Sequence, residues 1–219
     1  MYKVILFDLD DTLYLERDYV YSGYKVVADF IEKKYNLLSK KTYPKMIELS
    51  KKSYNNVFNR LFDFYNVKIE NEEINEIIGT YKNHFPNIKL CEDSKKVVDE
   101  LLKKGIKLGL ITDGDSIQQR NKIEALKIER YFEKIIITDE LGLNRKYWKP
   151  NKKSFEIMIN FFKEDPKEIL YVGDNLNKDS FGASEVGIDF KQILRKNSIN
   201  RYEKSKYYLG ENLYSLIIK

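Results

Sequence analysis

Residues 3–14 read KVILFDLDDTLY, a short apolar run that passes directly into Asp8, Asp10 and Asp11. Such a run, apolar throughout, is what a parallel strand buried on both faces requires. The acids at its end need a reason. At an effective dielectric near 20, two like charges about 4 Å apart repel by roughly 4 kcal/mol. Either the acids splay into water and satisfy backbone amides of a turn, or something positive gathers them. Asp8 and Asp10 lie two apart in an extended segment, so their side chains start on the same side and can face one group.

Similar runs recur at 106–112 (IKLGLIT) and 168–174 (EILYVGD), with weaker ones at 134–138 and 188–193. Helical patterns lie between them, at 93–104, 116–127, 151–163 and 177–186. Strands alternating with helices predict an α/β fold, a Rossmann-like parallel sheet. One connection breaks the rhythm. Residues 16–90 are far longer than a strand-to-helix loop, yet their periodicity is helical. Val20, Tyr24, Val27 and Ile31 share one spacing; Met46, Leu49, Ser53, Val57 and Leu61 share another, with a start expected near Thr42 and Pro44; Ile74, Ile77, Ile78 and Tyr81 mark a third. The expected organisation is an α/β core of 1–15 and 91–219 carrying an inserted helical cap of 16–90. The tail, YYLGENLYSLIIK, is apolar enough to dock as a short strand and helix.

Composition narrows the chemistry. With 219 residues, 42% hydrophobic and 33% charged, the chain has enough length for a substantial core. The single Cys91 excludes an internal disulfide and a cysteine-based zinc site, and the single His84 excludes a histidine-rich metal site. No apolar stretch reaches membrane-spanning length, and the expectation is a cytoplasmic protein with no membrane partner. The net charge of +5 is a small excess of 39 basic over 34 acidic residues, scattered as pairs, so nucleic acid is not an expected partner. Monomer and homodimer both remain open.

Each core strand ends on a polar signal: Asp8-Leu9-Asp10, Thr112-Asp113-Gly114 and Gly173-Asp174-Asn175. Open parallel sheets bind ligands beyond the carboxyl ends of their strands, so these ends converge on one crevice. A divalent cation would turn the repulsion between the acids into attraction, and Mg²⁺ suits a site made of carboxylates, a carbonyl and waters.

These residues resemble the four ordered motifs of the haloacid dehalogenase superfamily. FDLDDTLY resembles the opening motif, ITDG at 111–114 the second, WKP at 148–150 the third and VGDNLNKD at 172–179 the fourth. The helical insertion is similar to the family's type-1 cap. The resemblance implies a phosphatase with Asp8 as nucleophile, forming an aspartyl phosphate, and Asp10 as general acid and then base, its pKa raised by crowding. It implies Thr112, Asp113 and Lys149 at the substrate phosphate, and Mg²⁺ held by the Asp8 carboxylate, the Asp10 backbone oxygen and Asp174. Asp179 and Asn175 are expected behind the metal ligands, with Asp179 touching the metal through water or holding Lys149.

Alternatives stand beside several of these roles. Asp113 would instead cap the helix beginning near Ser116, and Lys146 competes with Lys149. The substrate expected from the resemblance is a small phosphomonoester such as a sugar phosphate or nucleotide. A phosphomutase shares all four motifs, and a receiver-type signalling domain also groups acids at strand ends with a Thr and a Lys, though on a shorter chain without a large insertion.

Overall fold

The computed structural model describes residues 2–200 and 202–217. The first apolar run becomes β1 (Val4–Phe7), with all four residues buried. It lies between β2 (Lys107–Thr112) and β4 (Ile169–Gly173), outside which run β3 (Lys134–Ile137) on one side and β5 (Asp189–Ile193) and β6 (Tyr208–Gly210) on the other. Every pair is parallel. Register fixes where the strand ends meet: Phe7 is opposite Leu110 on one side and Val172 on the other. The residues that follow these three, including Asp8 and Asp174, therefore emerge at one level of the sheet. The chain winds from β1 outward to β3 and then returns to the far side of β1, which makes the end of β1 the point where the winding reverses.

Contacts divide the chain into two compact units, 1–17 with 88–219, and 18–87. These limits differ by a few residues from the expected 1–15, 16–90 and 91–219. The helical segment consists of α1 (Glu16–Tyr35), α2 (Ser39–Lys52), α3 (Val57–Phe64) and α4 (Asn71–Lys82). Val27, Ile31, Met46, Leu61, Phe62 and Ile77 are buried. Tyr19, Tyr81 and His84 form one aromatic cluster.

Two expectations for this segment fail. The single helical spacing from Met46 to Leu61 is broken at residues 53–56. Ser53 is extended, its hydroxyl accepts the Asn55 amide, and Asn56 takes a left-handed conformation (φ 52°). The Arg60 guanidinium reaches back to the Leu49 and Ser53 carbonyls at 3.0 and 2.6 Å, closing the end of α2. The start of α2 also lies upstream of Thr42, leaving Pro44 inside the helix, because the Glu32 carboxylate accepts the Ser39 amide (2.9 Å) and satisfies a first-turn donor.

In the α/β unit the connecting helices are α5 (Glu92–Lys103), α6 (Ser116–Leu126), α7 (Lys153–Phe162) and α8 (Phe181–Ser184). Glu92 and Asp93 lie in the first turn of α5 and Lys103 in its last, each with the sign the helix dipole favours. The expected helix over 177–186 is instead a π-helical turn, Leu176–Ser180, followed by the short α8. The tail docks through β6 and a 3-10 turn at Tyr214–Leu216, and its residues 218 and 219 lie outside the described ones. No described helix is long and apolar enough to cross a membrane.

The loop that leaves β1 is tied to distant parts of the chain. The buried Arg195 donates to the Thr12 carbonyl at 2.9 and 2.7 Å, to both Asp93 oxygens at 2.7 Å and to the Ser94 hydroxyl at 2.6 Å. Asp93 in turn accepts the Leu213 amide at 2.7 Å. Removing one partner of a buried ion pair leaves the other charge uncompensated and costs about 3–5 kcal/mol. Arg195→Met is expected to destabilise the protein by about that amount, read as a lowered urea midpoint, whereas Lys96→Met, which breaks an exposed pair with Glu92, leaves the midpoint nearly unchanged.

Candidate active site

The three acids of the opening stretch have three different surroundings. Asp8 continues β1, its amide donating to the Val172 carbonyl at 2.9 Å. Its Oδ1 accepts from Lys149 Nζ at 2.6 Å, and the Thr12 hydroxyl lies 3.5 Å from its Oδ2. Asp10 turns towards α6, where Lys122 Nζ stands 2.8 and 3.0 Å from its two oxygens and Gln119 Nε2 donates to Oδ2 at 2.9 Å. The hydroxyl of the fully buried Tyr14 also donates to it. Asp11 is structural: it sits in the left-handed region (φ 52°), and its oxygens accept the Glu16 amide at 3.0 Å and the Ile199 amide at 3.1 Å. The repulsion posed by the sequence is relieved separately at each acid.

Lys149 joins the strand ends. Its ammonium is buried and donates to Asp8, to Asp179 Oδ1 at 2.7 Å and to the Tyr171 hydroxyl at 2.8 Å. Lys146, the competing lysine, is exposed and lies over the Tyr147 ring instead. Asp174 follows β4 and is buried; one carboxylate oxygen each from Asp8, Asp174 and Asp179 lie within 4.8 Å of one another. Asp179, expected behind the metal ligands, is the third side chain of this group. The π turn that carries it begins at Asn175, whose Oδ1 accepts the Asn177 and Lys178 amides, while the Asn175 amide donates to Asp179 Oδ2 at 3.0 Å. Single π turns occur frequently at functional sites. Gly173 is required here, since a Cβ at that position would lie 2.3 Å from Asp179 Oδ2.

Thr112 ends β2 buried, its hydroxyl 2.5 Å from Gln119 Nε2. Asp113 does not cap α6. That role falls to Asp115, which accepts the Ile117 and Gln118 amides. Asp113 Oδ1 instead accepts from the Thr138 hydroxyl at 2.7 Å and the Lys149 amide at 3.0 Å, so it is turned away from the acids and fastens the lysine's backbone.

The electrostatics separate the acids further. Burial pushes Asp8 up to about 7, against the pull of Lys149 and with Asp179 and Asp10 adding to the rise. Asp174 is also pushed well above the usual carboxylate range, by burial and then by Asp8 and Asp179. Asp10 departs from the sequence expectation. Burial would raise it, but the Lys122 charge and the hydrogen bonds from Lys122, Tyr14 and Gln119 outweigh burial and hold it below the usual range. Crowding by acids does not decide its protonation; the facing lysine does.

Lys122, Gln119 and Tyr171 are not among the residues expected from sequence, whereas Tyr14 is one of the aromatic residues expected to line the pocket. A signal for two of them existed. Gln119, Lys122, Ile123 and Leu126 form the buried stripe of α6 at helical spacing, and two of its four positions are polar. Polar groups on a buried face require partners.

Comparison with known proteins adds independent information. A family model described as haloacid dehalogenase-like hydrolase matches residues 5–193. The glyceraldehyde 3-phosphate phosphatase of Pyrococcus abyssi is 32% identical over 197 residues, covering 86% of this chain and 79% of its own. The enzyme of the same name from Methanocaldococcus jannaschii is 32% identical over 200 residues, covering 89% and 86%. Among solved structures, a HAD phosphatase from Thermococcus onnurineus superposes with a TM-score of 0.62 at 25% identity, over 98% of this chain and 95% of its own. The magnesium-bound HAD-hydrolase YfnB from Bacillus subtilis has a TM-score of 0.66 over 98% and 96% of the two chains; at 17% identity it speaks for the fold alone.

The raised pKa of Asp8 links stability to pH. The folded protein holds a proton on Asp8 that the unfolded chain releases near the ordinary carboxylate value, so stability falls as pH rises from about 4 to about 7 and this contribution levels off above. Metal-stripped protein is therefore expected to melt at a lower temperature at pH 8 than at pH 5.5. Asp8→Asn, measured in the same thermal scans, is expected to shrink that difference.

Proposed function

The chain belongs to the haloacid dehalogenase-like hydrolase family, and from that membership and the geometry of its acids we propose that it is a magnesium-dependent phosphatase acting on a small phosphomonoester, with a sugar phosphate as the substrate class. The observation that carries the reading is the arrangement around Lys149. One buried ammonium holds the β1 aspartate and the acid of the π turn, and a second acid, Asp10, is kept apart on its own cation. A nucleophile and a proton-transfer group need to be held separately in this way. The names of the similar proteins favour glyceraldehyde 3-phosphate as the first substrate to test.

In this reading an Asp8 oxygen attacks phosphorus, the ester oxygen departs as the alcohol with a proton from Asp10, and water then cleaves the aspartyl phosphate with Asp10 as base. The carboxylate form that Lys122 favours is the one the water step uses. A phosphate dianion arriving beside Asp10 repels that charge and favours the protonated form needed first. Thr112 at the end of β2 supplies a hydroxyl for a phosphate oxygen, and Lys149 offsets the charge on Asp8 and the transferring group. Asp113 supports the site by holding the Lys149 backbone.

Magnesium fits the donor set. The group of Asp8, Asp174 and Asp179 offers only oxygen ligands, and its three carboxylates face a single ammonium. Asp8, Asp174 and the Asp10 backbone oxygen would hold the ion, with Asp179 and Asn175 behind them. When bound, it would neutralise the cluster and polarise a phosphoryl oxygen.

Purified protein with Mg²⁺ is expected to release inorganic phosphate from p-nitrophenyl phosphate and from glyceraldehyde 3-phosphate, and to lose activity with chelator. Asp8→Asn is expected to lower kcat by about a thousandfold or more, as removal of a covalent nucleophile does. Unchanged turnover in that variant would end the mechanism, and formation of an isomeric phosphate in place of free phosphate would identify a mutase.

A further inference from the structure

The family resemblance accounts for Asp8, Asp10, Thr112, Lys149 and Asp174, but not for the two buried polar side chains that α6 aims at Asp10. Gln119 is 1% exposed and Lys122 is 4% exposed. Gln119 Nε2 lies 2.9 Å from Asp10 Oδ2, 2.8 Å from the Asp113 carbonyl and 2.5 Å from the Thr112 hydroxyl. One amide thus touches the ends of both β1 and β2. Its path crosses Gly114, where a Cβ would lie 2.9 Å from Gln119 Cδ and the backbone has φ +139°. The glycine of the second motif is therefore needed for this side chain to pass, and not only for the turn. Three residues on, Lys122 closes the other side of the carboxylate, with one ammonium against both oxygens. The Tyr14 hydroxyl completes the ring of donors.

We propose that Gln119 is a positioning residue that aims the Asp10 carboxyl at the leaving oxygen, with Lys122 as the counter-ion that keeps the carboxyl in that place. The proposal rests on the phosphatase reading and adds to it that the direction of the second acid is set by α6, not by the metal cluster. Asp10 is the residue that reacts; Gln119 and Lys122 act through it. A side chain held by four donor contacts from three residues has little rotational freedom left, and loss of orientation alone can cost orders of magnitude in rate.

The test uses the leaving group. An aryl oxygen departs readily as its anion, whereas an alkyl oxygen needs the proton that Asp10 supplies. Values of kcat/KM, which report the steps up to phosphorylation of Asp8, are compared for p-nitrophenyl phosphate and glycerol 1-phosphate, with Asp10→Asn as the reference. Gln119→Ala is expected to lose about tenfold or more on the alkyl ester and less than about threefold on the aryl ester, part of the 10²–10⁴ a positioned acid contributes. Lys122→Arg, which keeps the paired contact, is expected to retain the wild-type ratio of the two substrates. If Gln119→Ala does not fold, shown by loss of a cooperative thermal unfolding transition, Lys122→Met carries the same comparison. Equal losses on both esters in a folded variant, or no loss on either, overturn the proposal while leaving the phosphatase reading intact. A wild-type protein that hydrolyses neither ester overturns both.

Discussion

A single buried ammonium governs the arrangement at the strand ends. Lys149 sits where three carboxylates approach one another, and it is shared by Asp8 and Asp179 with the Tyr171 hydroxyl as a third acceptor. Burial alone would drive its proton off, yet Asp179 and Asp8 raise its pKa well above the ordinary lysine value, so it stays charged. An ion pair this deep offsets its desolvation cost only when geometry is good and the remaining donors are satisfied. Here three donors of one ammonium meet three oxygens at 2.6–2.8 Å. The lysine's backbone is fixed as well, through the Asp113 carboxylate. The cluster nevertheless sets three carboxyl groups against one ammonium, and Asp8 and Asp174 rise in pKa accordingly; a divalent cation would favour their ionised forms.

Much of this was legible in the sequence because it depends on local signals. A four-residue apolar strand, buried on both faces, has to be read from composition, and KVILF allowed that. The parallel sheet followed from similar runs separated by helical spacing, and the convergence of Asp8, Thr112 and Asp174 followed from where those runs end. What composition could not supply was the division of labour among Asp8, Asp10 and Asp11. Each acid is two residues or fewer from the next, so their differences come from partners 5 to 188 residues away: Lys149 for the first, Lys122 for the second, the Glu16 and Ile199 amides for the third.

The features the sequence concealed share a cause: a side chain far along the chain overrides local propensity. The spacing from Met46 to Leu61 is helical by apolar period alone, but Arg60 closes α2 at Leu49 and Ser53 and the backbone turns at Asn56. Pro44 would normally stand near a helix start, but Glu32 on α1 satisfies an earlier amide and lets α2 begin sooner. The run after Asp174 looks like ordinary helix, yet Asp179 has to reach both the Asn175 amide and Lys149, and the turn widens to a π geometry that permits it. In each case the local preference was real and a single tertiary contact decided against it.

Asp10 shows how the same logic bears on chemistry. A carboxyl among other acids is expected to hold its proton, and Asp8 and Asp174 do shift that way. Asp10 shifts the other way because α6 presents a lysine to it, and that lysine occupies a position the apolar period reserves for the core. Two acids two residues apart thus shift in opposite directions: burial and neighbouring acids raise Asp8 despite Lys149, while Lys122 and its neighbours hold Asp10 down. Because β1 ends where the winding of the sheet reverses, separate connections of the chain reach its last residues, α6 with Lys122 and the turn before α7 with Lys149, and this gives neighbouring aspartates different partners.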